Sequence, residues 1–252
     1  MNKTDFGFLG FGPPEEAERR TAMIGLLRDC PVPDRELLLN LGLFLTPQTL
    51  SRVLFLDFLY RQVLDVQGVV MELGCRWGQS LALFSALRGI YEPFNRLRKI
   101  VGFDTFAGFP AVTAADGTSA MMSPGAYAVT EGYAGYLDRV LQLHEQESPL
   151  AHLKKYALCA GDVTQTLPRY LADNPETVVA LAYFDLDLYE PTRACLEALK
   201  DRITRGTVLG FDELNDHHCP GETLAVKEVL GLGRYALRRF PHSARTSYLV
   251  VE

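Results

Sequence analysis

The chain carries little that would mark it for export, for a membrane or for nucleic acid. Its five cysteines, Cys30, Cys75, Cys159, Cys195 and Cys219, are odd in number, scattered and never spaced C-x-x-C. That pattern argues against a disulfide framework and a zinc site, and the thiols read as reduced and mostly in the core. A cationic excess is missing too, since 25 Lys+Arg stand against 31 Asp+Glu for a formal charge of −6. Without a broad basic face there is no counterion release to drive binding to a phosphate backbone, so no nucleic-acid partner is expected. The longest uninterrupted apolar stretch, residues 178–184, is far short of the roughly 20 residues of a membrane helix. Lys3, Asp5, Glu15 and Glu16 stand where a signal peptide would have a basic head and an apolar run. The expectation is a soluble, cytoplasmic protein with no membrane partner.

What is present is ordinary globular composition: 252 residues, 48% apolar and 22% charged, with 21 Gly and 14 Pro and no repeat or low-complexity tract. Such a chain can bury a full core, in one large domain with additions or at most two. Its punctuation separates an N-terminal helical cover, residues 1–67, from an α/β part, residues 68–252, that is interrupted by an insertion at residues 111–150. Across residues 47–64 the apolar positions Leu50, Val53, Leu54, Leu56, Phe58, Leu59, Val63 and Leu64 recur at helical spacing, with Thr46 and Pro47 as N-cap and first helical residue. Residues 1–14 show little pattern beyond Gly and Phe. The surplus apolar helix surface of the cover suggests a homo-oligomer.

After Gly68 the pattern changes to short apolar runs at residues 69–71, 100–103, 156–160, 178–184 and 207–211. Helical stretches lie between them at 80–90, 164–172 and 192–200. Strand and helix in alternation predict a mostly parallel sheet covered on both faces, and residues 235–240 and 247–251 predict an antiparallel hairpin closing one edge. In such sheets ligands sit beyond the carboxyl ends of the strands. There the sequence places Glu72, Asp104, Asp162, Asp185 and Asp212, a row of acids. The insertion, rich in Gly, Ser, Tyr and Met and then helical, suits a substrate-binding lid. Its Tyr127, Tyr133 and Tyr136 suit sugar or nucleotide recognition, or else core packing.

Residues 72–80 read Glu-Leu-Gly-Cys-Arg-Trp-Gly-Gln-Ser, an acid-x-Gly-x-x-x-Gly turn between a strand and a helix. Gly74 allows a tight turn and Gly78 a helix start close to a ligand, but the spacing is not the dinucleotide G-x-G-x-x-G. A cationic, phosphate-free nucleoside such as S-adenosylmethionine suits it better. An ordinary βα turn is the plainer alternative. Asp104 ends the next strand and can accept hydrogen bonds from ribose hydroxyls, with Thr105 and Phe106 beside it. Asp162 could meet the adenine amino group or simply cap the helix that follows. Trp77 could lie against the sulfonium or pack structurally.

The most specific stretch is residues 183–192, Tyr-Phe-Asp-Leu-Asp-Leu-Tyr-Glu-Pro-Thr, followed after a helix by Gly-Phe-Asp-Glu-Leu-Asn at 210–215. Two strands thus end in Asp185 and in the pair Asp212 and Glu213. Three carboxylates that close repel one another, and a bound cation relieves this most simply. All-oxygen donors select Mg²⁺ rather than zinc. Asp187 reads as a surface acid or a cap.

These motifs resemble the class I S-adenosylmethionine-dependent methyltransferases of the macrocin O-methyltransferase family, which methylate sugar hydroxyls in antibiotic biosynthesis. The family's Asp-x-Asp-x-Tyr-x-x-Thr matches residues 185–192, and its later Asp-Asp pair falls at Asp212 and Glu213, with Glu replacing the second Asp. The stretch Phe-Asp-Thr-Phe-x-Gly-Phe-Pro at 103–110 resembles the family's second strand and loop, and the likeness runs from 68 to 251. The resemblance implies a Rossmann-like methyltransferase fold, Mg²⁺ on Asp185, Asp212 and Glu213, and the cofactor on Glu72, Gly74, Trp77, Gly78 and Ser80 with Asp104, Thr105, Phe106, Asp162 and Asp185. It also implies a small-molecule acceptor, a nucleotide-linked deoxysugar or a glycosylated natural product. For the base that takes the acceptor's proton, Asp185, His217 and His218 are the candidates, with His144 more remote. Methylation of a catechol-like or other vicinal diol poses the same chemical problem. A non-catalytic cofactor-binding or assembly subunit is the reading from another class.

Overall fold

A computed structural model describes residues 15–252. The segment 1–14, part of the cover read from the sequence, lies outside the described residues. The chain divides into two compact units, Met1–Val53 and Leu54–Glu252. In the first, α1 (Glu15–Arg28) opens with Glu15, Glu16 and Glu18 and closes with Arg28, the order that complements a helix dipole. The short α2 (Asp34–Leu37) runs into a 3₁₀ turn at Leu38–Phe44. No residue of α1 is buried. Thr46 accepts a hydrogen bond from the Thr49 amide (3.3 Å) at the start of α3 (Pro47–Arg61), the cap that the sequence predicts. The helix stops three residues short of the expected Leu64. Its last turn tightens to i→i+3 bonds, Gln62 to Leu59 and Val63 to Tyr60. The buried Arg98 guanidinium then takes the carbonyls of Val63, Val66 and Gly68.

The second unit is built on a seven-stranded sheet. The strands are β1 (Val69–Leu73), β2 (Ile100–Asp104), β3 (Tyr156–Ala160), β4 (Val179–Phe184), β5 (Ile203–Phe211), β6 (Arg238–Arg239) and β7 (Ser247–Val250), in the order β3-β2-β1-β4-β5-β7-β6. The first five in that order are parallel, and β7 runs antiparallel to both β5 and β6, so the closing hairpin is where the sequence puts it. Between them come α4 (Gln79–Tyr91), α5 (Tyr133–Gln146), α6 (Val163–Asp173), α7 (Tyr189–Leu199) and α8 (Gly221–Val229). Buried residues of α6, α7 and α8 share one core with the sheet, and those of α4, α5 and the C-terminal part of α3 share another. Every residue of β1 and β4 is buried, as central parallel strands covered on both faces require. Among the described residues no single helix is long and apolar enough to cross a membrane.

Register decides the site. Leu73 lies opposite Phe103 on one side and Phe184 on the other, and Phe184 opposite Phe211. The residues just past these pairs, Gly74, Asp104, Asp185 and Asp212, therefore share one edge of the sheet, at the point where strand order reverses between β1 and β4. The insertion is tied to this body at both ends. Asp116 is buried, closes a capping box with Thr113, and accepts the Tyr189 amide at the start of α7 (2.6 Å). Glu145 on α5 is ion-paired with Arg88 of α4 and, at 2.9 Å, with Lys155.

Candidate active site

The cofactor side of this edge is organised by its own backbone. Gly74 takes a φ of +90°, and a Cβ there would collide with the Asp185 carbonyl, so only glycine lets β1 and β4 deliver their ends this close together. The amides of Gly74 and Cys75 both donate to the Phe103 carbonyl. Asp104, at the end of β2, accepts the amides of Arg76 (2.7 Å) and Phe106 (2.6 Å), and both donors sit in left-handed backbone. Burial pushes the Asp104 carboxyl up despite these bonds. Thr105 donates to the Gly108 carbonyl (2.7 Å), which closes the turn after the strand. Asp162 caps α6 through the amide and hydroxyl of Thr164 (2.9 and 2.8 Å).

Two expectations along this turn need refinement. β1 runs two residues beyond the apolar stretch 69–71, so Glu72 lies inside the strand, buried and in register with Gly102 and Tyr183. At Gly78, φ +74°, the space a side chain would need is filled by Leu137 of α5, so packing of the insertion explains this glycine in addition to any approach by a ligand. Ser80 is buried in the first turn of α4. Trp77 is partly exposed and meets Tyr133 edge-on at 4.7 Å, while the Tyr133 hydroxyl donates to the Trp77 carbonyl (2.9 Å). Tyr136 packs beside Tyr133 and Tyr127 beside Phe109.

On the other side, past β4 and β5, the carboxylates crowd. The Tyr183 hydroxyl donates to Asp212 (2.7 Å). Glu213 is buried and ion-paired with Arg245, which also reaches Asp216 at 3.6 Å. Asp187, expected as a surface acid or a cap, is half-buried with a left-handed φ of +61°. Glu222, in the first turn of α8 and not among the expected site residues, is fully buried and accepts the Leu186 amide (3.3 Å). Burial, and then the charges of Asp187, Asp185 and Asp212, push its carboxyl well above the usual range. Glu213 Oε1 and Glu222 Oε2 are buried with no hydrogen-bond partner. As the side chains stand, no three His, Cys, Asp or Glu among the described residues are gathered closely enough to hold a metal ion.

The His217 and His218 rings lie 3.8 Å apart, tilted by 41°, in the loop after β5, where the His218 amide donates to Asp216 (2.9 Å). His144 lies half-buried on α5, its pKa lowered by burial. Cys219 is buried in this loop, and burial with the charges of Asp187, Asp216 and Glu222 pushes its thiol up to about 12, which leaves it inert as a nucleophile. Besides Glu222, the sequence reading passed over Asp116, Arg245 and the Arg76 side chain. An acid in the first turn of the helix after β5 was the available signal for Glu222, but the same pattern commonly serves only the helix dipole.

No protein-family model and no curated protein matches the chain. Among solved structures, CalS11, a calicheamicin methyltransferase, is 49% identical, with a TM-score of 0.93 over 95% of this chain and 93% of that one. The apo structure of CalS11, a TDP-rhamnose 3'-O-methyltransferase of calicheamicin biosynthesis, gives 46% identity and a TM-score of 0.84 over 95% of each chain. The O-methyltransferase NovP, 20% identical with a TM-score of 0.60 over 80% of this chain and 79% of its own, shares the fold.

Proposed function

The chain belongs to the antibiotic-pathway sugar O-methyltransferases, enzymes dependent on S-adenosylmethionine, and from that premise we propose that it methylates a hydroxyl of a nucleotide-linked deoxysugar with the help of Mg²⁺. The observation that carries the choice of acceptor is the 46% identity to a TDP-rhamnose 3'-O-methyltransferase over 95% of both chains. S-adenosylmethionine supplies an electrophilic methyl group, and its transfer is an in-line displacement needing little covalent help. The protein's task is then to hold two ligands in line. On this reading Glu72, Gly74, Trp77, Gly78, Ser80, Asp104, Thr105, Phe106 and Asp162 receive the cofactor along the ends of β1, β2 and β3. Asp185 stands next in line, between that row and the acids after β5, because Asp185 follows β4 and β4 pairs with both β1 and β5.

Magnesium is the finer part of the proposal. The donors suit a hard cation, being all carboxylate, and Glu213 Oε1 and Glu222 Oε2 are buried acceptors that no donor fills. Asp185, Asp212 and Glu213 would hold the ion, with Glu222 beside them. A bound divalent ion there supplies Lewis acidity and a template for vicinal hydroxyls. Asp185, His217 or His218 would take the acceptor's proton.

The test is a mass-spectrometric screen of nucleotide sugars and glycosylated natural products, with and without chelator. Methylation of a nucleotide-linked deoxysugar that stops on chelation is the expected result. Turnover untouched by chelation removes the metal, and methylation only of glycosylated products removes the acceptor class. A homo-oligomer is part of the same reading, supported by exposed leucines such as Leu38 and Leu39 (79% and 86%). A light-scattering mass equal to one 28.1 kDa chain would reject it.

A further inference from the structure

The most unusual cation in the second unit is Arg76. Its guanidinium lies 4.8 Å from the Tyr127 ring centroid and 5.8 Å from that of Trp77. It makes no ion pair among the described residues, and its Nε is buried without a hydrogen-bond partner. The other arginine near the acids, Arg245, is already paired with Glu213. A guanidinium resting over aromatic rings has a planar fork of donors that suits a planar or tetrahedral oxyanion. A buried donor left unmade is costly, so a ligand that fills it gains more than a surface contact would.

Its placement says which ligand. The Arg76 amide is fixed on Asp104, at the predicted ribose position, while the side chain turns away toward Tyr127 of the insertion. Burial, and then the charge of Asp187 on the acid side of the cleft, push the Tyr127 hydroxyl up, and the Arg76 charge opposes them. Arg76 thus stands between the cofactor turn and the carboxylates past β4 and β5. An anionic acceptor brought to that acidic edge needs a cation not locked in an ion pair, and Arg76, whose charge reaches Asp104 without pairing to it, is one. We propose that Arg76 is the oxyanion anchor of the acceptor site, its guanidinium taking the diphosphate of the nucleotide-linked sugar. This rests on the nucleotide-linked reading above.

The experiment is calorimetry on the full chain with two probes, thymidine diphosphate and S-adenosylhomocysteine, for the wild type, Arg76→Gln and Arg76→Lys. Arg76→Gln should lose about tenfold or more in thymidine diphosphate affinity, the worth of a charge-assisted hydrogen bond, while S-adenosylhomocysteine affinity stays within about twofold. Arg76→Lys keeps the charge without the fork and should fall between, so it carries the test alone if melting shows that the Gln variant does not fold. Unchanged thymidine diphosphate affinity in the variants overturns the inference. An equal loss for S-adenosylhomocysteine also overturns it, because the oxyanion would then be the cofactor's carboxylate. A wild type that binds no thymidine diphosphate even at millimolar concentration fails the nucleotide-linked reading itself, a result distinguishable from the other two.

Discussion

Glu145 and Glu222 are both buried glutamates on helices, and they meet opposite fates. Glu145 on α5 sits between Arg88 and Lys155 and also accepts the Lys155 amide at 3.1 Å. Burial alone would raise its pKa, but the hydrogen bonds and charges of Lys155 and Arg88 hold its carboxyl below the ordinary range. Glu222 on α8 receives one amide, from Leu186, and otherwise faces the negative charges of Asp187, Asp185 and Asp212. One carboxylate is compensated in place and clamps α5 to α4. The other is left with an oxygen lacking a partner at the edge where the sheet delivers its acids. A buried carboxyl balanced by its own chain is architecture, and a buried carboxyl left unbalanced marks a place where a ligand completes the structure.

The largest effect belongs to the acid edge. Asp185→Asn should cost about a thousandfold or more in turnover while leaving S-adenosylmethionine binding largely intact by calorimetry. Retained turnover would refute its place in the catalytic edge. Next comes Glu145→Ala, which strands Arg88 and Lys155 without their carboxylate and should destabilise the chain by about 3–5 kcal/mol in denaturant melts. Its pH signature has a definite sign. A carboxyl whose folded pKa is lowered contributes stability that is present above its unfolded value, near the reference 4.5, and lost as pH falls through the folded value. Glu145→Gln should therefore flatten that stretch of the acid melting profile, and an unchanged slope would dissolve the contrast.

A smaller change is expected at the other glutamate. Glu222→Gln in chelator should shift unfolding free energy by no more than about 1 kcal/mol, because the amide carries no charge to desolvate. The same variant should lose part of the melting-temperature rise that saturating Mg²⁺ confers on the wild type. A loss as large as that of Glu145→Ala would make Glu222 architecture as well. Last, Asp162→Ala removes the cap on α6 and should cost about 1 kcal/mol. If S-adenosylmethionine affinity falls with it, the carboxylate serves cofactor and helix together; unchanged affinity leaves the cap alone.

Much of this was legible from local pattern. The runs 156–160 and 178–184 read as strands because buried parallel strands are continuously apolar, and β3 and β4 fall on them within a residue. Asp104, Asp185 and Asp212 could be placed at strand ends because each directly ends or follows such a run. The helical cap at Thr46 was likewise written in adjacent residues. What escaped notice shares one trait, distance in the chain. Asp116 caps α7 from 73 residues away, Glu222 reaches Leu186 from 36, and Arg88 meets Glu145 across 57. The extra residues of β1 and the early end of α3 also depend on neighbours, since β1 is held by strands on both sides and α3 ends where Arg98 takes its carbonyls.

The non-catalytic alternative gives way to the enzyme family that the CalS11 relatives show. Periodicity and strand-end chemistry were enough for the fold class and for placing acids at the strand ends, because hydrophobic period and turn residues act within a few positions of each other, while the family came from the likeness of the motifs at 103–110 and 185–192. Which acids are balanced, that Arg76 makes no ion pair among the described residues and which glycine yields to a helix rather than a ligand came only from tertiary packing. Charge compensation depends on three-dimensional neighbours, and here those neighbours come from strands and helices that the sheet, not the chain order, brings together.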